Sequence, residues 1–185
     1  MDSFVLDAPV YRTRPLPQAD IIGTFIVPAP IIEATKEALT SFALLGLRQG
    51  GHEGLCYWAG RELGSVQVFS SVIIPRADHG PQRVMVSKEE VGRAAQSARS
   101  MQLGILCQVH SHPGRDARHS DGDDDLILLP FEGMLSVVAP HYGTQIQSIE
   151  DFSFHQYQNG RWVFCTLRSV QEQVAVVQTL CDLRV

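Results

Sequence analysis

The chain has 185 residues, of which 44% are hydrophobic and 19% are charged. This length and balance predict a soluble globular protein with a sizeable core and exclude a disordered chain. The net charge of −5 argues against nucleic-acid binding, because phosphate contacts need clustered Lys and Arg, and the absence of a long apolar run argues against a membrane span.

The first quarter of the chain predicts an arm, a strand and a helix. Residues 1–19 contain three prolines and predict an extended N-terminal arm before one domain over 20–185. A β-branched run predicts a strand over Ile21–Val27. Apolar residues at helical spacing then predict an amphipathic helix over 30–48, with a proline in its first turn and glycines past its end.

The next elements are predicted to be a strand over Leu55–Ala59, a turn over 60–64 and a long strand over Ser65–Ile74. The polar stretch 76–83 predicts a loop. Ser87 is followed three residues later by a glutamate, which is the capping-box pattern that begins a helix.

Further along, the same criteria predict strands over Leu103–Val109 and Met134–Ala139, with a short apolar turn over Leu126–Leu129 between them. They also predict a hairpin over Phe152–Phe164 that turns at Asn159-Gly160, and a terminal helix over 168–183. Helices and strands alternate with hairpins and no linker interrupts them. We therefore expect a single α/β domain in the broad sense, with a mixed β-sheet.

The four cysteines form no C-x-x-C pair. Cys56 and Cys107 lie inside apolar runs, where a free thiol behaves as a small hydrophobe. We expect all four to be reduced, as in a cytoplasmic protein. The first ten residues lack a basic region before an apolar block, so we expect no signal peptide.

Two histidines stand at the end of the predicted strand that finishes at Val109. His110 and His112 are two residues apart, and a strand places such side chains on the same face. Two neutral imidazoles suit zinc, and one oxygen ligand would complete a catalytic site that keeps a position for water. Asp123 is the leading candidate for that ligand.

Spacing alone leaves other carboxylates open as the third ligand, namely Asp121, Asp124 and Asp125. An open zinc site lowers the pKa of bound water to about 7. Hydrolysis also needs a carboxylate that moves the water proton and a donor near the developing oxyanion. The Ser120 hydroxyl could be that donor.

The pattern His-x-His, seven residues, Ser, two residues, Asp resembles the signature of the JAMM (MPN+) metallopeptidases. The segment that begins at Glu53, with Gly54 and Cys56 after it, looks like the upstream segment of the prokaryotic JAB branch. The resemblance implies that Glu53 is the general acid/base and that Ser120 is the oxyanion donor. It implies three zinc ligands: His110, His112 and Asp123.

The resemblance further implies a cytidine-deaminase-like core, in which a mixed sheet is flanked by helices. Members of the family are largely isopeptidases that release ubiquitin or ubiquitin-like proteins. The expected partners are therefore a ubiquitin-like protein or its conjugates, and E1- and E2-like proteins of the same conjugation system. Nucleic acid and membrane are not expected.

Each site residue has an alternative interpretation. Ser120 and Asp123 could form the start of a helix, and the acidic run 121–125 could be a calcium loop, although it lacks EF-hand spacing. Glu53 could be a solvated loop carboxylate, with Glu62 as a competing base. Three cations of the intervening loop could line the mouth of the site or face solvent: Arg115, Arg118 and His119.

Three functions compete at this stage. The first is a zinc isopeptidase that cleaves after the tail of a ubiquitin-like protein. The second is a non-catalytic MPN scaffold, and the third is a zinc hydrolase of small peptide or amino-acid conjugates.

Overall fold

The structure is a computed structural model that describes residues 15–120, 122–123, 127 and 130–178. Its helices are α1 (Ala29–Leu45), α2 (Lys88–Ser100) and α3 (Leu167–Gln173). Its strands are β1 (Gln18–Ala19), β2 (Thr24–Pro28), β3 (Leu55–Leu63), β4 (Val66–Ile73), β5 (Asp78–Gly80), β6 (Arg83–Met85), β7 (Gly104–Ser111), β8 (Leu135–Ala139), β9 (Ser153–Gln158), β10 (Arg161–Cys165) and β11 (Val174–Val177).

Nine strands form one mixed sheet in the order β1-β10-β9-β8-β7-β3-β4-β2-β11, and β5 and β6 form a separate two-stranded sheet. The central strand β7 runs antiparallel to β3 and parallel to β8. Of the helices in the described part of the chain, none has the length and apolar character needed to span a membrane.

Strand β3 is buried on both faces over its first six residues, which explains its nearly continuous apolar sequence. Cys56 and Trp58 belong to the larger core cluster. Leu55 and Tyr57, which alternate with them, pack with Ala94 of α2 in a second cluster. This period of two is the expected consequence of strand geometry.

Helix α1 begins with a proline in its first turn, where the missing N–H costs nothing. Its face buries Ile31, Thr35 and Leu39 against the sheet. The Thr35 hydroxyl donates to the Ile31 carbonyl and accepts the Trp58 indole N–H at 2.7 Å. The polar atoms that this packing buries are therefore hydrogen-bonded.

Several predicted elements are confirmed. The Ser87 hydroxyl accepts from the Glu90 backbone N–H at the start of α2. Strands β9 and β10 form the expected hairpin, in which Asn159 and Gly160 both adopt positive φ. Residues 1–14 of the predicted arm lie outside the described residues, and its last two residues form β1.

Two local predictions, the turn over 60–64 and the loop over 76–83, are wrong. The turn predicted over 60–64 is mostly strand, because β3 continues to Leu63 and turns only at Gly64, where φ is +66°. The loop predicted over 76–83 contains the β5–β6 hairpin. The short apolar turn predicted over Leu126–Leu129 lies largely outside the described residues.

The helix predicted over 168–183 is also wrong beyond Gln173, since the chain then becomes strand β11. β11 pairs in parallel with β2. Its Val-Ala-Val-Val sequence favours a strand, and pairing with an open sheet edge overrides the helical periodicity. Residues 179–185 are outside the described part.

Candidate metal centre

The end of β7 carries the two candidate histidine ligands. His110 pairs with Leu55 of β3 on one side and Val138 of β8 on the other. His112 continues the pairing, because its N–H donates to the Ala139 carbonyl at 2.8 Å. Both imidazoles therefore project from the rigid centre of the sheet, on the same face, as period two predicts.

Asp123 completes a compact group with the two imidazoles. The Nε2 atoms of His110 and His112 are 3.2 Å apart. The Asp123 carboxylate oxygens lie 3.1 Å from His110 Nε2 and 3.3 Å from His112 Nε2. Of the described residues, these three form the group that could hold a metal ion; the competing Asp121, Asp124 and Asp125 lie outside the described residues.

The spacing of these donor atoms fits one small cation. Ligands at about 2.0–2.1 Å from a tetrahedral ion are separated from one another by about 3.3 Å. The separation of the two Nε2 atoms, 3.2 Å, is close to that value, and the nearest carboxylate oxygens, Oδ1 to His110 and Oδ2 to His112, lie at 3.1 and 3.3 Å. Two imidazoles and one carboxylate leave a fourth position open, which is the composition of a catalytic zinc site.

The protonation states of the group also suit a cation. Burial raises the pKa of Asp123, but the charges and hydrogen bonds of His110 and His112 outweigh it and hold that pKa well below its usual range. Burial lowers the pKa of His110 despite the neighbouring Asp123. An ionised carboxylate and a neutral imidazole are the forms that bind metal.

The second ring nitrogen of His112 is held by the protein. His112 Nδ1 donates to the Asp116 carbonyl at 3.0 Å, which leaves Nε2 with its lone pair toward the ligand group. The His112 carbonyl accepts the Tyr142 N–H at 2.7 Å. Burial lowers the pKa of His112, but Asp123 and the Asp116 carbonyl raise it above its ordinary value overall.

Glu53 lies beside this group and is only 7% exposed. Burial raises the pKa of Glu53 to about 8, with electrostatic interactions from His112 lowering it and from Asp123 raising it. Its N–H donates to the Gly80 carbonyl at 2.9 Å. The next residue, Gly54, exchanges two hydrogen bonds with Ser111, between the two histidines.

The interpretation of Glu53 as a solvated loop carboxylate is therefore wrong. Its competitor Glu62 is exposed near the other end of β3. Glu62 is seven positions along the strand from Leu55, which is about 23 Å at the usual rise per residue. The distance removes Glu62 from the reaction site.

Ser120 contacts the ligand group through its backbone. Its N–H donates to Asp123 Oδ2 at 2.6 Å, and its carbonyl accepts the Asp123 N–H at 3.1 Å. These two bonds close a tight turn that directs the carboxylate toward the histidines. The alternative interpretation as a helix start thus describes the same turn, since Asp123 itself lies in a short helical segment.

The loop between His112 and Ser120 contains two exposed arginines and one buried histidine. Arg115 is exposed, and Arg118 is exposed in a bidentate ion pair with Asp116 at 2.7 and 2.9 Å. His119 is fully buried. Neither prediction for His119 is right, because its imidazole packs inside the protein rather than at the mouth of the site or in solvent.

Sequence reasoning missed the partners of His119. The His119 ring stacks on His155 with centroids 3.9 Å apart, and its Nε2 lies 2.8 Å from the Ser136 hydroxyl. Burial lowers the pKa of His155 well below its usual range, so His155 is neutral. Ser136 and His155 are directly paired on β8 and β9, and no pattern in the sequence links them to His119.

The sequence profile of a family described as prokaryotic homologs of the JAB domain matches residues 35–154. That range is well over half of the chain and includes all of the candidate site residues. The chain belongs to this family. Its core, as the resemblance implied, is a mixed sheet flanked by helices, and both the family and the fold class predicted from the sequence are confirmed.

The chain is similar to the probable metalloprotease y4jG of Sinorhizobium fredii. It is 35% identical over 128 residues, which are 67% of this chain and 75% of that protein. This identity and coverage show that the chain is related to a protein named as a probable metalloprotease.

Two solved structures share the prokaryotic JAB fold of this chain. The solution structure of protein DSY2949 from Desulfitobacterium hafniense is 17% identical, with a TM-score of 0.62, and covers 84% of this chain and 94% of its own. A solution structure from Salinibacter ruber is 14% identical, with a TM-score of 0.51, and covers 86% and 95%. Both likenesses concern the fold alone.

Proposed function

We propose that this chain is a zinc metallopeptidase that cleaves after the C-terminal tail of a ubiquitin-like protein. Such cleavage would release the protein from conjugates or mature its precursor, beside the activating and conjugating enzymes of the same system. The observation that carries the proposal is the convergence of His110, His112 and Asp123 next to the buried carboxyl of Glu53.

The donor set favours zinc over calcium or magnesium. Those hard cations prefer six or more oxygen ligands, whereas two imidazoles and a carboxylate with tetrahedral spacing suit zinc. When bound, zinc supplies a Lewis acid and makes a water-derived nucleophile available at neutral pH. The protein holds the His110 imidazole on strand β7, the His112 imidazole directly after the end of that strand, and the carboxylate on the Ser120–Asp123 turn.

Glu53 is the proton carrier of the proposed reaction. A carboxyl whose pKa lies at about 8 in the metal-free site is readily protonated near neutral pH, and a nearby cation would favour its ionised form. Glu53 therefore takes a proton from the attacking water and passes it to the leaving amine. Because the N–H of Ser120 is engaged by Asp123, its hydroxyl is the group left to donate to the oxyanion.

An extended polypeptide is the substrate that suits the surroundings of Glu53. The two-stranded β5–β6 sheet contacts Glu53 through the Gly80 carbonyl, and a hairpin of this kind has backbone groups at its outer edge that can pair with another strand. Strand addition supplies backbone hydrogen bonds with few side-chain requirements. The name of the Sinorhizobium fredii relative, a probable metalloprotease, supports a peptide bond as the target.

The test compares Glu53→Gln with wild type on a fusion whose ubiquitin-like domain is followed by a reporter. We expect wild-type protein to bind one zinc ion and cleave the fusion. Glu53→Gln should retain the zinc and lose about 10²- to 10⁴-fold in kcat/KM, the usual contribution of general acid–base catalysis. Glu62→Gln, at the far end of β3, is the matched control and should cleave normally.

Each alternative predicts a different result. Near-normal turnover by Glu53→Gln would remove Glu53 from the mechanism. Cleavage of short tail peptides as fast as the fusion would identify a small-peptide hydrolase. A stable wild-type protein that binds no zinc would identify a scaffold.

A further inference from the structure

A cluster of buried polar side chains lies behind the candidate metal centre and takes no direct part in it. His119, Ser136 and His155 are each 0% exposed. The His119 ring stacks on His155 with an interplanar angle of 21°, and Trp162 meets it edge-on with centroids 5.4 Å apart. The cluster thus fixes the His119 ring from several sides.

This arrangement is costly for the core of a β-sheet. A buried imidazole needs hydrogen-bond partners, because an unsatisfied polar group in the interior destabilises the fold. His119 Nε2 has such a partner in the Ser136 hydroxyl at 2.8 Å. Its backbone N–H reaches His155 Nε2 only at 3.4 Å, so the ring stack and the Ser136 bond are the stronger restraints.

His119 is connected to Asp123 through one tight turn. The following residue, Ser120, donates its N–H to the Asp123 carboxylate at 2.6 Å and accepts the Asp123 N–H. A displacement of His119 would therefore move the Asp123 carboxylate. Metal–ligand distances tolerate changes of only about 0.2 Å, so the place where His119 is anchored determines whether the third ligand reaches the cation.

We propose that His119 is a positioning residue for the metal centre, held by Ser136 and His155 so that the Ser120–Asp123 turn directs its carboxylate at His110 and His112. The inference rests on the proposed metal site and adds residues that bind neither metal nor substrate. It explains why an imidazole with polar partners, rather than an apolar side chain, occupies this point of the core.

The test removes the same contact from either end. Ser136→Ala and His119→Phe both delete the bond between the two side chains, while the phenyl ring preserves the stack on His155. Zinc affinity is measured by competition with a chromophoric chelator, and the cobalt-substituted proteins are compared by their d–d absorption spectra. Ser169→Ala is the matched control, since Ser169 is also a buried, hydrogen-bonded serine but lies in α3, away from the site.

We expect each site variant to bind zinc about 10- to 100-fold more weakly, the range seen when outer groups that orient metal ligands are removed, and to show an altered cobalt spectrum. The double variant should bind zinc no more weakly than the single variant with the lower affinity, because both substitutions remove the same contact. Ser169→Ala should lose thermal stability and keep its zinc affinity.

Unchanged zinc affinity and cobalt spectra in folded Ser136→Ala and His119→Phe would overturn this inference and leave the proposed function standing. The same conclusion would follow if Ser169→Ala weakened zinc as much as they do, since the effect would then be general destabilisation. A folded wild-type protein that binds no zinc would overturn the proposed function, and this inference with it.

Discussion

At the scale of single residues, the two candidate histidine ligands differ in how the protein holds them. His112 Nδ1 donates to the Asp116 carbonyl, whereas His110 Nδ1 is buried without a hydrogen-bond partner among the described residues. Orientation of His110 therefore depends on packing in the centre of the sheet. Asp123 contacts both Nε2 atoms and, unlike the histidines, is held by a tight turn at a short helical segment and not by the sheet.

The raised pKa of His112 predicts that zinc binding weakens in mild acid. Asp123 and the Asp116 carbonyl keep this pKa above its ordinary value of 6.5 in the metal-free protein, and binding must displace the proton. Above that pKa the affinity should be constant, and below it the dissociation constant should rise by about tenfold per pH unit. Calorimetric titration with zinc between pH 5.5 and about 8.5 measures this slope.

Asp123→Asn serves as the control for this pH dependence. The variant lacks the carboxylate that raises the pKa of His112, so its affinity, although weaker throughout, should begin to fall only at lower pH. A wild-type dissociation constant that stays flat across this range would show that His112 is already neutral or does not bind.

The sequence predicted the residues that carry chemistry better than those that support them. His110 lies on β7, and His112 continues the pairing directly after the strand ends, so a period of two places their rings on the same face. His119 is a residue whose place in the structure the sequence did not predict. Its burial depends on Ser136 and His155, which reach it only through the pairing of β8 with β9, and such long-range contacts leave no local periodicity.

At the scale of elements, the β5–β6 hairpin connects the two sides of the candidate site. The Gly80 carbonyl accepts the N–H of Glu53, and the Pro81 carbonyl accepts the Tyr142 hydroxyl at 3.0 Å. Tyr142 is in turn bonded through its N–H to the His112 carbonyl. The hairpin thus contacts Glu53 directly and the segment that carries His112 through Tyr142.

Loosening this hairpin should impair turnover while leaving metal binding intact. In Tyr142→Phe the bond to Pro81 is lost, and in His79→Ala the 2.9 Å contact between His79 Nδ1 and His52 Nδ1 is lost. We expect each to lower kcat/KM by about tenfold, because small displacements of a catalytic group reduce rate strongly. Zinc affinity should be unchanged, since the ligands are on other elements.

Asp78→Ala is the matched control on the same hairpin. It breaks only the exposed pair between Asp78 and Arg83, and such surface pairs contribute about 0–1 kcal/mol. Turnover should therefore stay normal. Equal losses in Asp78→Ala and Tyr142→Phe would contradict a specific role for the Pro81 contact.

The hairpin and the C-terminal strand also show which elements a sequence conceals. The segment 76–83 contains proline and glycine and reads as a loop, yet the backbone on both sides of Pro81 pairs. Val174–Val177 continues the helical periodicity of α3, but this segment pairs with the open edge of β2 and forms strand β11. In both places pairing with distant backbone decides the structure, and local propensity does not report it.

For the whole molecule, the candidate metal centre lies at the end of the central strand of the nine-stranded sheet. This strand, β7, pairs antiparallel with β3 on one side and parallel with β8 on the other. Ligands from β7 and the Ser120–Asp123 turn, with Glu53 from the segment before β3, therefore link parts of the chain that are far apart in sequence. A cation bound here would restrain both halves of the fold.

Removal of zinc should consequently lower the unfolding temperature. A ligand that binds only the folded state stabilises it by about 4 kcal/mol when its free concentration is 1,000 times the dissociation constant. For a chain of this size each kcal/mol corresponds to about 2–4 °C, so chelation should lower Tm by roughly 8–16 °C. Differential scanning calorimetry with zinc and with excess chelator measures the difference.

In Asp123→Asn, chelation should lower Tm far less, because one ligand is already lost. In Glu62→Gln, chelation should lower Tm as much as it does in wild type. An equal zinc response in Asp123→Asn would mean that the stabilising ion binds elsewhere.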